Sequence, residues 1–458
     1  MGTLYQPLES TIQDLKVTIH DTSLVFPSQE TQRRPMFLSN IDQVLNFDVQ
    51  TLHFFNANPE FPPEIVRERL RIALSRVLVP YDFLAGRLKM NQESKRLEID
   101  CNCAGAVFLV ASSELTLEEI GDLVYPNPAF RQLIVHENID LLEKDDKPLC
   151  IIQVTSFKCG GFAMGFSTNH ITFDGISFKI FLQNLASQAF DDDNKPLAIV
   201  PCNDRTLLAA RNPPRVTFPH VELLKLEVPI GEELNPKVFE TLQEELDFKI
   251  FRLNSSDISS LKEKAKDENA PDAKITGFNV VTSYVWRCKA LSRENYEENP
   301  ERISTVLFAV DIRTRLNPPL PRSYTGNAVL TSYASATCHE LEEGPFGKIV
   351  DLVSQGGMRM NDEYARSAID WGEIYKGFPN GEFLISSWWK LGFSQVEYPW
   401  GKPKYSCPVV CHRKDIILLF PNIDDGISNN NDGVNIFVAL PPKQMEKFES
   451  YFHKFMLV

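Results

Sequence analysis

The feature that most constrains the fold is the regular exchange of strand-type and helix-type hydrophobic patterns along the chain. Two β-type runs, PLCIIQVTSF (148–157) and FAMGFST (162–168), are joined by Lys158–Gly161, which predicts a hairpin-like connection. Helical spacing precedes them in EIVRERLRIALSRVLV (64–79) and follows them in ISFKIFLQNLASQAF (176–190). Strands that alternate with helices predict an α/β protein rather than a helical bundle, a sandwich or an all-parallel barrel.

The second half repeats this mixed character after a Pro-rich, weakly periodic stretch at residues 201–220, of the kind that connects domains. Residues 276–291 have the pattern of a buried helix, and residues 304–316, 415–421 and 434–440 have that of strands. For a chain of 458 residues we therefore expect an N-terminal domain at 1–200, a crossover linker at 201–220 and a C-terminal domain at 221–458.

Charge and composition exclude several classes of function. The formal net charge of −14 opposes binding to nucleic-acid phosphates. No run approaches the roughly 18 consecutive apolar residues that span a bilayer. The N-terminal segment lacks the basic and apolar regions of a secretory signal, so we expect a cytoplasmic protein without a membrane span. Nine cysteines, an odd number in a long chain, favour reduced thiols over a disulfide framework.

Several common catalytic motifs are absent from the sequence. Neither G-x-G-x-x-G nor the P-loop pattern G-x-x-x-x-G-K-[ST] occurs, so dinucleotide and P-loop binding lack support. The segment 165–169 misses the nucleophile elbow G-x-S-x-G at its last position, Asn169. The pairs Cys101/Cys103 and Cys407/Cys411 with His412 are too sparse and wrongly spaced for zinc, so we expect no metal site.

Two histidines have an aspartate four residues later, and their surroundings distinguish them. His136, with Asp140, lies in a polar stretch without a following turn residue, which indicates a solvated loop. His170 follows an apolar strand and precedes Asp174, Gly175 and an amphipathic helix. Since α/β proteins place reactive groups at strand ends, His170 is the candidate functional residue, with a hydrogen-bonded core histidine as an equal alternative.

The chemistry suited to His170 is proton transfer. An imidazole with an ordinary pKa near 6.5 is mostly neutral at cytosolic pH and can take a proton from an attacking hydroxyl or amine. Asp174 would orient the ring or hold the loop by pairing with an arginine, and Gly175 allows a tight turn. No serine or cysteine stands out as a covalent nucleophile, so direct attack by an acceptor substrate is the simpler interpretation.

Six blocks, taken in order, carry a specific family resemblance. HITFDG (170–175) resembles the HxxxDG motif of the plant BAHD acyl-CoA-dependent acyltransferases. The other blocks that resemble motifs of this family are PYDFLAGR (80–87), VDIRTRLNPPLP (310–321), SYTGNA (323–328), SSWWKLGF (386–393) and WGKP (400–403). The resemblance runs from about Leu15 to the C-terminus and looks closest to the family's GLAUCE-like branch.

This resemblance implies a two-domain chloramphenicol-acetyltransferase-like α/β fold with mixed sheets and a solvent channel between the domains. Acyl-CoA would enter as a co-substrate by one mouth and a small hydroxylated acceptor by the other, with no permanently bound cofactor. His170 would be the general base, and the acceptor would attack the thioester carbonyl directly, without an acyl-enzyme. The family also implies a monomer, and the net charge already argues against nucleic-acid partners.

The resemblance assigns roles to residues beyond the HITFDG segment. Trp388 would donate to the oxyanion, with plain core packing as the alternative for it and for Trp389. Asp174 would point away from the substrates and pair with an arginine, for which Arg287 is our candidate. The residues expected on the CoA side of the channel are Ser386, Ser387, Trp400 and Gly401.

One segment departs from the family pattern. Where the family has DFGWG, this chain has EYPWG (397–401), whose central proline removes an N–H and excludes a positive φ. We expect Glu397 to bridge to Arg313 or Arg315, as the family's aspartate does to an arginine. The altered segment supports a second hypothesis, a non-catalytic binding protein of the same fold. A hydrolase or lyase that uses His170 is a third.

The substrates are less constrained by the sequence. The 31 phenylalanines suggest an apolar tunnel. We expect a hydroxycinnamoyl, benzoyl or fatty acyl donor and a hydrophobic hydroxylated acceptor. Because the chain is acidic, the CoA mouth needs a local basic cluster. The candidates for it are Lys402, Lys404, Arg413 and Lys414, with a solvated basic turn as the alternative.

Overall fold

The described part of the chain covers nearly all of the predicted elements. A computed structural model describes residues 2–5, 12–124, 127–135, 142, 146–190, 195–226, 245–266, 275–293, 299–409, 413–422 and 433–457. His136 with Asp140, and Cys411 with His412, lie outside these described residues.

The first half contains nine strands and three α-helices among its described residues. The strands are β1 (Thr3–Leu4), β2 (Val17–Val25), β3 (Pro35–Met36), β4 (Asp48–Phe55), β5 (Arg87–Met90), β6 (Leu97–Asp100), β7 (Ala106–Ser113), β8 (Cys150–Ser156) and β9 (Phe162–Asn169). The helices are α1 (Asn40–Gln43), α2 (Pro63–Val77) and α3 (Gly175–Gln188). The predicted hairpin is confirmed, because β8 and β9 pair antiparallel along their whole length.

The second half has a similar mixture of elements. Its strands are β10 (Leu223–Lys225), β11 (Asp247–Leu253), β12 (Ile303–Asp311), β13 (Val329–Thr337), β14 (Gly377–Pro379), β15 (Phe383–Ser387), β16 (Tyr405–Pro408), β17 (Ile416–Pro421) and β18 (Val434–Leu440). Its helices are α4 (Ser255–Lys264), α5 (Gly277–Leu291), α6 (Cys338–Glu343), α7 (Phe346–Arg359), α8 (Asp362–Ile374) and α9 (Pro442–Leu457). The predicted strands at 415–421 and 434–440 are confirmed as β17 and β18, whereas the strand predicted at 304–316 already ends at Asp311.

Two large mixed sheets organise these elements. One has the strand order β16-β4-β9-β8-β7-β2, and the other has the order β1-β11-β18-β17-β15-β12-β13. Parallel pairs occur at β7–β8, β12–β15 and β15–β17, and the remaining neighbours in these two sheets are antiparallel. The terminal strand β1 joins the sheet built by the second half, and β16 joins the sheet built by the first.

The hydrophobic core has three parts. One cluster packs α2 and α3 on the first sheet, and another packs α5, α7, α8 and α9 on the second. A third cluster combines side chains of both sheets, among them Leu52 and Phe54 of β4 with Ile250 of β11 and Phe437 of β18. The two sheets therefore share buried apolar surface, and the groups between them are held by packing from both sides.

The 201–220 connection is itself packed into the molecule. It contains a short 3₁₀ turn at Arg205–Leu208, and the Arg205 side chain is only 1% exposed. Cys202 pairs with Tyr324 in an isolated bridge. The domain limits at 200 and 220 stay a prediction. No helix in the described ranges is long and apolar enough to cross a membrane.

Candidate active site

The loop that follows β9 is shaped by its own backbone. The N–H of His170 donates to the carbonyl of Phe47 at 2.8 Å, which extends the pairing of β9 with β4. Thr172 then turns the chain by donating to the Asn169 carbonyl from its N–H at 2.9 Å and from its hydroxyl at 2.6 Å. His170 therefore stands at the turn between a buried strand and helix α3.

Asp174 ends this loop and caps α3. Its Oδ1 accepts the N–H of Ser177 at 2.8 Å, as an N-cap side chain does. The same carboxylate accepts the N–H of Ala328 at 2.9 Å and pairs with Nη2 of Arg313 at 2.8 Å. Because every one of these contacts is buried, Asp174 holds the loop and is occupied on both oxygens.

The arginine that pairs with Asp174 is a correction to the sequence prediction. Arg313 takes this place, and Arg287 instead donates to the carbonyl of Glu342 and lies over the ring of Phe455, 3.9 Å from its centroid. Both arginines sit in apolar segments, and their patterns in sequence do not distinguish them. Only the fold decides between them, because it brings the turn after β12, which carries Arg313, to the start of α3.

The imidazole of His170 has a fixed orientation. Its Nδ1 lies 3.1 Å from Oδ1 of Asn327. The Nδ2 of Asn327 donates to Oδ1 of Asp42 at 2.9 Å and to the carbonyl of His170 at 2.8 Å, so this amide presents its oxygen to the ring. An oxygen there requires an N–H on Nδ1, which leaves the Nε2 lone pair unprotonated.

Burial keeps this imidazole neutral. The ring is partly exposed, but most of it is enclosed by protein, and the loss of hydration lowers the pKa of His170 below its usual value. Asp174 and Asp42 oppose this effect because their negative charges favour the imidazolium. The outcome at neutral pH is a neutral ring that carries its proton on Nδ1 and can accept another on Nε2.

Asn327, Asp42 and Arg205 were missed at the level of sequence. Nη1 of Arg205 donates to Oδ1 of Asp42 at 3.0 Å, and Nη2 donates to the carbonyl of Thr172 at 2.8 Å. Gly326 packs on this guanidinium with φ +138°, and a Cβ there would lie 2.7 Å from it. Asn327 belongs to the SYTGNA block, which was a usable signal, whereas Arg205 lies in a connection without periodicity.

A cavity of about 440 Å³ opens beside the C-terminal end of β15. The first turns of α4 and α5 border it, and so does the segment after β15. Its polar and aromatic lining includes Ser255, Ser259, Lys262, Thr276, Ser387, Trp389 and Lys390. Two helix N-termini and two lysines make this a favourable place for the phosphates of a nucleotide-type ligand.

The comparison with protein families settles what kind of protein this is. A model described as the Transferase family, which includes the BAHD enzymes, matches residues 15–455. The chain belongs to this family. It is an acyl-CoA-dependent acyltransferase.

Individual relatives place this BAHD acyltransferase more narrowly. It is 60% identical over 459 residues to Acyltransferase GLAUCE of Arabidopsis thaliana, and the match covers 99% of both chains. It is 33% identical to Omega-hydroxypalmitate O-feruloyl transferase of the same plant, over 96% of this chain and 93% of that relative. The predicted GLAUCE-like branch is therefore confirmed.

A solved structure confirms the fold. TRI101 of F. graminearum, crystallised with coenzyme A and T-2 mycotoxin, superposes with a TM-score of 0.70. The match covers 91% of this chain and 97% of that chain at 14% identity. The predicted chloramphenicol-acetyltransferase-like α/β fold with mixed sheets is what the BAHD acyltransferase adopts.

The segment after β15 lies against the start of α3. Trp388 is half-buried, and its ring contacts Phe393 at a centroid distance of 5.6 Å. Phe393 contacts Phe178 of α3 at 5.5 Å. A Cβ on Gly175 would lie 2.5 Å from Cδ1 of Leu391, so this glycine allows the close approach. Trp388 and the helix that follows His170 are therefore parts of one packed unit.

The EYPWG segment differs from what was expected. Glu397 is 71% exposed and faces Lys402 at 3.8 Å, so the predicted bridge to Arg313 or Arg315 is wrong. Arg315 instead donates to the carbonyls of residues 357 and 360. The positive φ of this turn falls on Gly401, at +109°, so the proline at the centre is accommodated.

Trp400 and the two serines, all predicted on the CoA side of the channel, lie in different parts of the structure. Trp400 is 5% exposed and packs against Phe55, Phe61 and Phe162 of the first half. Ser386 and Ser387 are half-buried at the end of β15, and Ser387 lines the cavity. The basic residues at this cavity are Lys262 and Lys390, which differ from the four suggested by the sequence.

Proposed function

We propose that this enzyme moves an acyl group from acyl-CoA to a hydroxyl or amine of a small acceptor, with His170 as general base. Nε2 takes a proton from the acceptor while the oxygen or nitrogen of the acceptor attacks the thioester carbonyl. A tetrahedral intermediate forms, the C–S bond breaks, and the proton passes from Nε2 to the departing CoA sulfur. No acyl-enzyme is involved, because the acceptor itself is the nucleophile.

The observation that carries this proposal is the fixed tautomer of His170. The Asn327 amide holds the proton on Nδ1, and burial holds the ring neutral, as its lowered pKa indicates. A base with its lone pair already exposed needs no prior deprotonation at neutral pH. The structural alternative, a satisfied core histidine, is less favoured because Nε2 has no equivalent partner assigned among the described residues and the ring keeps some exposure.

We further propose roles for the neighbouring residues. Trp388 donates its indole N–H to the oxyanion of the intermediate, which is typically worth about 3 kcal/mol of barrier. Asp174, through Arg313, positions the loop and does not touch substrate. We also propose that a solvent channel between the domains brings donor and acceptor to His170 from opposite sides.

The 440 Å³ cavity is our proposed entrance for CoA. Lys262, Lys390 and the N-termini of α4 and α5 would bind the phosphates, and Ser387 with Ser386 would follow the pantetheine arm. Trp400 and Gly401 do not line this cavity, and Trp400 packs in the aromatic core of the first half, so we propose no direct contact with CoA for them.

The donor and acceptor classes are proposed on the relatives' names. Omega-hydroxypalmitate O-feruloyl transferase joins a feruloyl group to a long hydroxylated chain, so we propose a hydroxycinnamoyl, benzoyl or fatty acyl donor and a hydrophobic hydroxylated acceptor. We also propose a monomer in the cytoplasm, and the free thiols of the eight described cysteines suit such a reducing compartment.

The test is release of free CoA thiol from a panel of acyl-CoAs with and without alcohols and amines. Release that requires an acceptor and disappears in His170→Ala supports transfer. Release without an acceptor would mean hydrolysis. Acyl-CoA binding without any release would favour the non-catalytic alternative, and full turnover by His170→Ala would refute the role of the imidazole.

A further inference from the structure

The connection at 201–220 reaches the catalytic loop through one side chain. Arg205 is 1% exposed and its partner Asp42 is 0% exposed, with 3.0 Å between Nη1 and Oδ1. Arg205 also donates to the carbonyls of Ile171 at 3.3 Å and Thr172 at 2.8 Å, the two residues directly after His170. A buried arginine is thus bound both to the loop of the base and to an aspartate on α1.

Asp42 in turn is bound to the amide that orients the imidazole. Its Oδ1 accepts from Nδ2 of Asn327 at 2.9 Å and from the backbone N–H of Asn327 at 3.3 Å. Its Oδ2 accepts from the N–H of Ser39 at 2.9 Å and from the Ser39 hydroxyl at 2.8 Å. Both oxygens therefore receive only donors, and the Asn327 amide cannot flip without placing its oxygen against a carboxylate.

We propose that Asp42 and Arg205 form a positioning pair that acts on His170 through Asn327. The negative charge of Asp42 selects one orientation of the Asn327 amide, and that orientation selects the Nδ1–H tautomer of the base. Arg205 neutralises Asp42 and ties the same group to the backbone of the catalytic loop. Neither residue touches substrate in this proposal.

A simple structural role would have different consequences. A buried ion pair contributes little net stability once desolvation is counted, but removal of one partner destabilises the fold because a buried charge is left alone. Such destabilisation lowers the amount of folded enzyme without changing the protonation of His170. A positioning role changes kcat and its pH dependence in the enzyme that remains folded.

The direction of the pH effect follows from the charges around the ring. The charged groups that face His170 are Asp42 and Asp174, with their partners Arg205 and Arg313. Asp42 raises the pKa of His170 against the effect of burial, so its removal lowers that pKa further. The acidic limb of the kcat/KM profile should therefore move to lower pH.

The main test compares Asp42→Asn with Asp370→Asn. Asp370 is a matched control, because it is buried and pairs with Arg211 of the same 201–220 connection at 2.6 Å, with no link to Asn327 among its assigned contacts. We expect Asp42→Asn to lower kcat about tenfold or more, to leave KM for acyl-CoA within about twofold and to shift the acidic limb downwards. Asp370→Asn should lower only the melting temperature. Equal kinetic profiles in the two folded variants would overturn the proposal.

A second pair of variants covers the case in which Asp42→Asn does not fold. Arg205→Lys keeps the charge beside Asp42 but offers one nitrogen where the guanidinium uses two, Nη1 for Asp42 and Nη2 for the Thr172 carbonyl. We expect a several-fold lower kcat at unchanged KM for it, and wild-type kinetics for the control Arg211→Lys. Wild-type kcat and pH profile in Arg205→Lys would contradict the proposal.

Dependence on Asn327 is tested by a double-mutant cycle. If Asp42 acts through Asn327, then Asp42→Asn should lower kcat less than about twofold in an Asn327→Ala background. If the two substitutions instead lower kcat by independent factors that multiply, Asp42 does not act through Asn327. The inference rests on the proposed role of His170, and His170→Ala separates the two. Full activity of His170→Ala would refute the role of His170 as the base. An inactive His170→Ala together with wild-type kinetics of Asp42→Asn would refute only the positioning pair.

Discussion

The carboxylate of Asp174 offers the sharpest test of how the catalytic loop is held, through the substitution Asp174→Asn. The carboxylate receives the N–H groups of Ser177 and Ala328 and the guanidinium of Arg313. An amide of the same shape keeps one acceptor oxygen, and its NH₂ then faces a buried donor. Arg313 also loses its buried counter-charge and keeps only Asp311 at 2.9 Å.

The size of the effect follows from burial. The side chains of Asp174 and Arg313 are 4% and 5% exposed, so water screens the pair weakly. Breaking such a pair from one side costs about 3–5 kcal/mol. The melting temperature should fall by roughly 5 °C or more. Since the loop between His170 and α3 is anchored there, kcat should fall more than about tenfold through misplacement of the base.

The matched control is Asp311→Asn, which removes the other partner of the same arginine. Asp311 is 37% exposed, so its pair with Arg313 is screened and worth less than about 1 kcal/mol. Thermal melting by circular dichroism and steady-state thiol release on both variants give the comparison. If Asp174→Asn and Asp311→Asn have the same melting temperature and the same kcat, the assignment of Asp174 as the anchor of the loop is wrong.

Three further outcomes follow from the site and its surroundings. Lys262→Glu should raise KM for acyl-CoA about tenfold with kcat kept, because it reverses a charge at the cavity. The control Lys264→Glu, on the same helix, should leave KM unchanged. Equal KM values for the two variants, measured at low salt, would contradict the proposed CoA entrance. Trp388→Phe should lower kcat about a hundredfold at unchanged KM, whereas Trp389→Phe should keep kcat, and similar turnover in both would remove the proposed oxyanion donor. Burial lowers the pKa of His53 to about 3. As pH falls below 6.5, this imidazole therefore becomes protonated in the unfolded chain but stays neutral in the folded one. Stability should therefore fall by up to about 1.4 kcal/mol per pH unit towards pH 4, and His53→Asn should reduce this slope in urea titrations. An unchanged slope in His53→Asn would refute the assignment to His53.

Much of the candidate site could be predicted from short stretches of sequence. The strand before His170 and the helix after Gly175 follow from periodicity, and both form as expected. The order of the motif blocks identified the family before any contact was known. Local patterns suffice for these conclusions because backbone hydrogen bonding and the burial of one face depend on residues a few positions apart.

The partners of the site residues could not be predicted in the same way. Asp174 and Arg313 are far apart in sequence, and Arg287 was an equally reasonable partner until the fold brought Arg313 to α3. Glu397 retained the family's charge but points to solvent. Each of these pairings depends on which side chains are desolvated together, and no spacing in the chain encodes that.

The amino-acid sequence by itself determined the succession of helices and strands, the family and the imidazole expected to do the chemistry, because each is written in neighbouring residues. The tertiary structure alone decided which tautomer that imidazole adopts. Asp42, Arg205 and Asn327 come from three distant segments. They meet at His170 because the folded core brings these segments together and excludes water, so their buried polar side chains bond to one another.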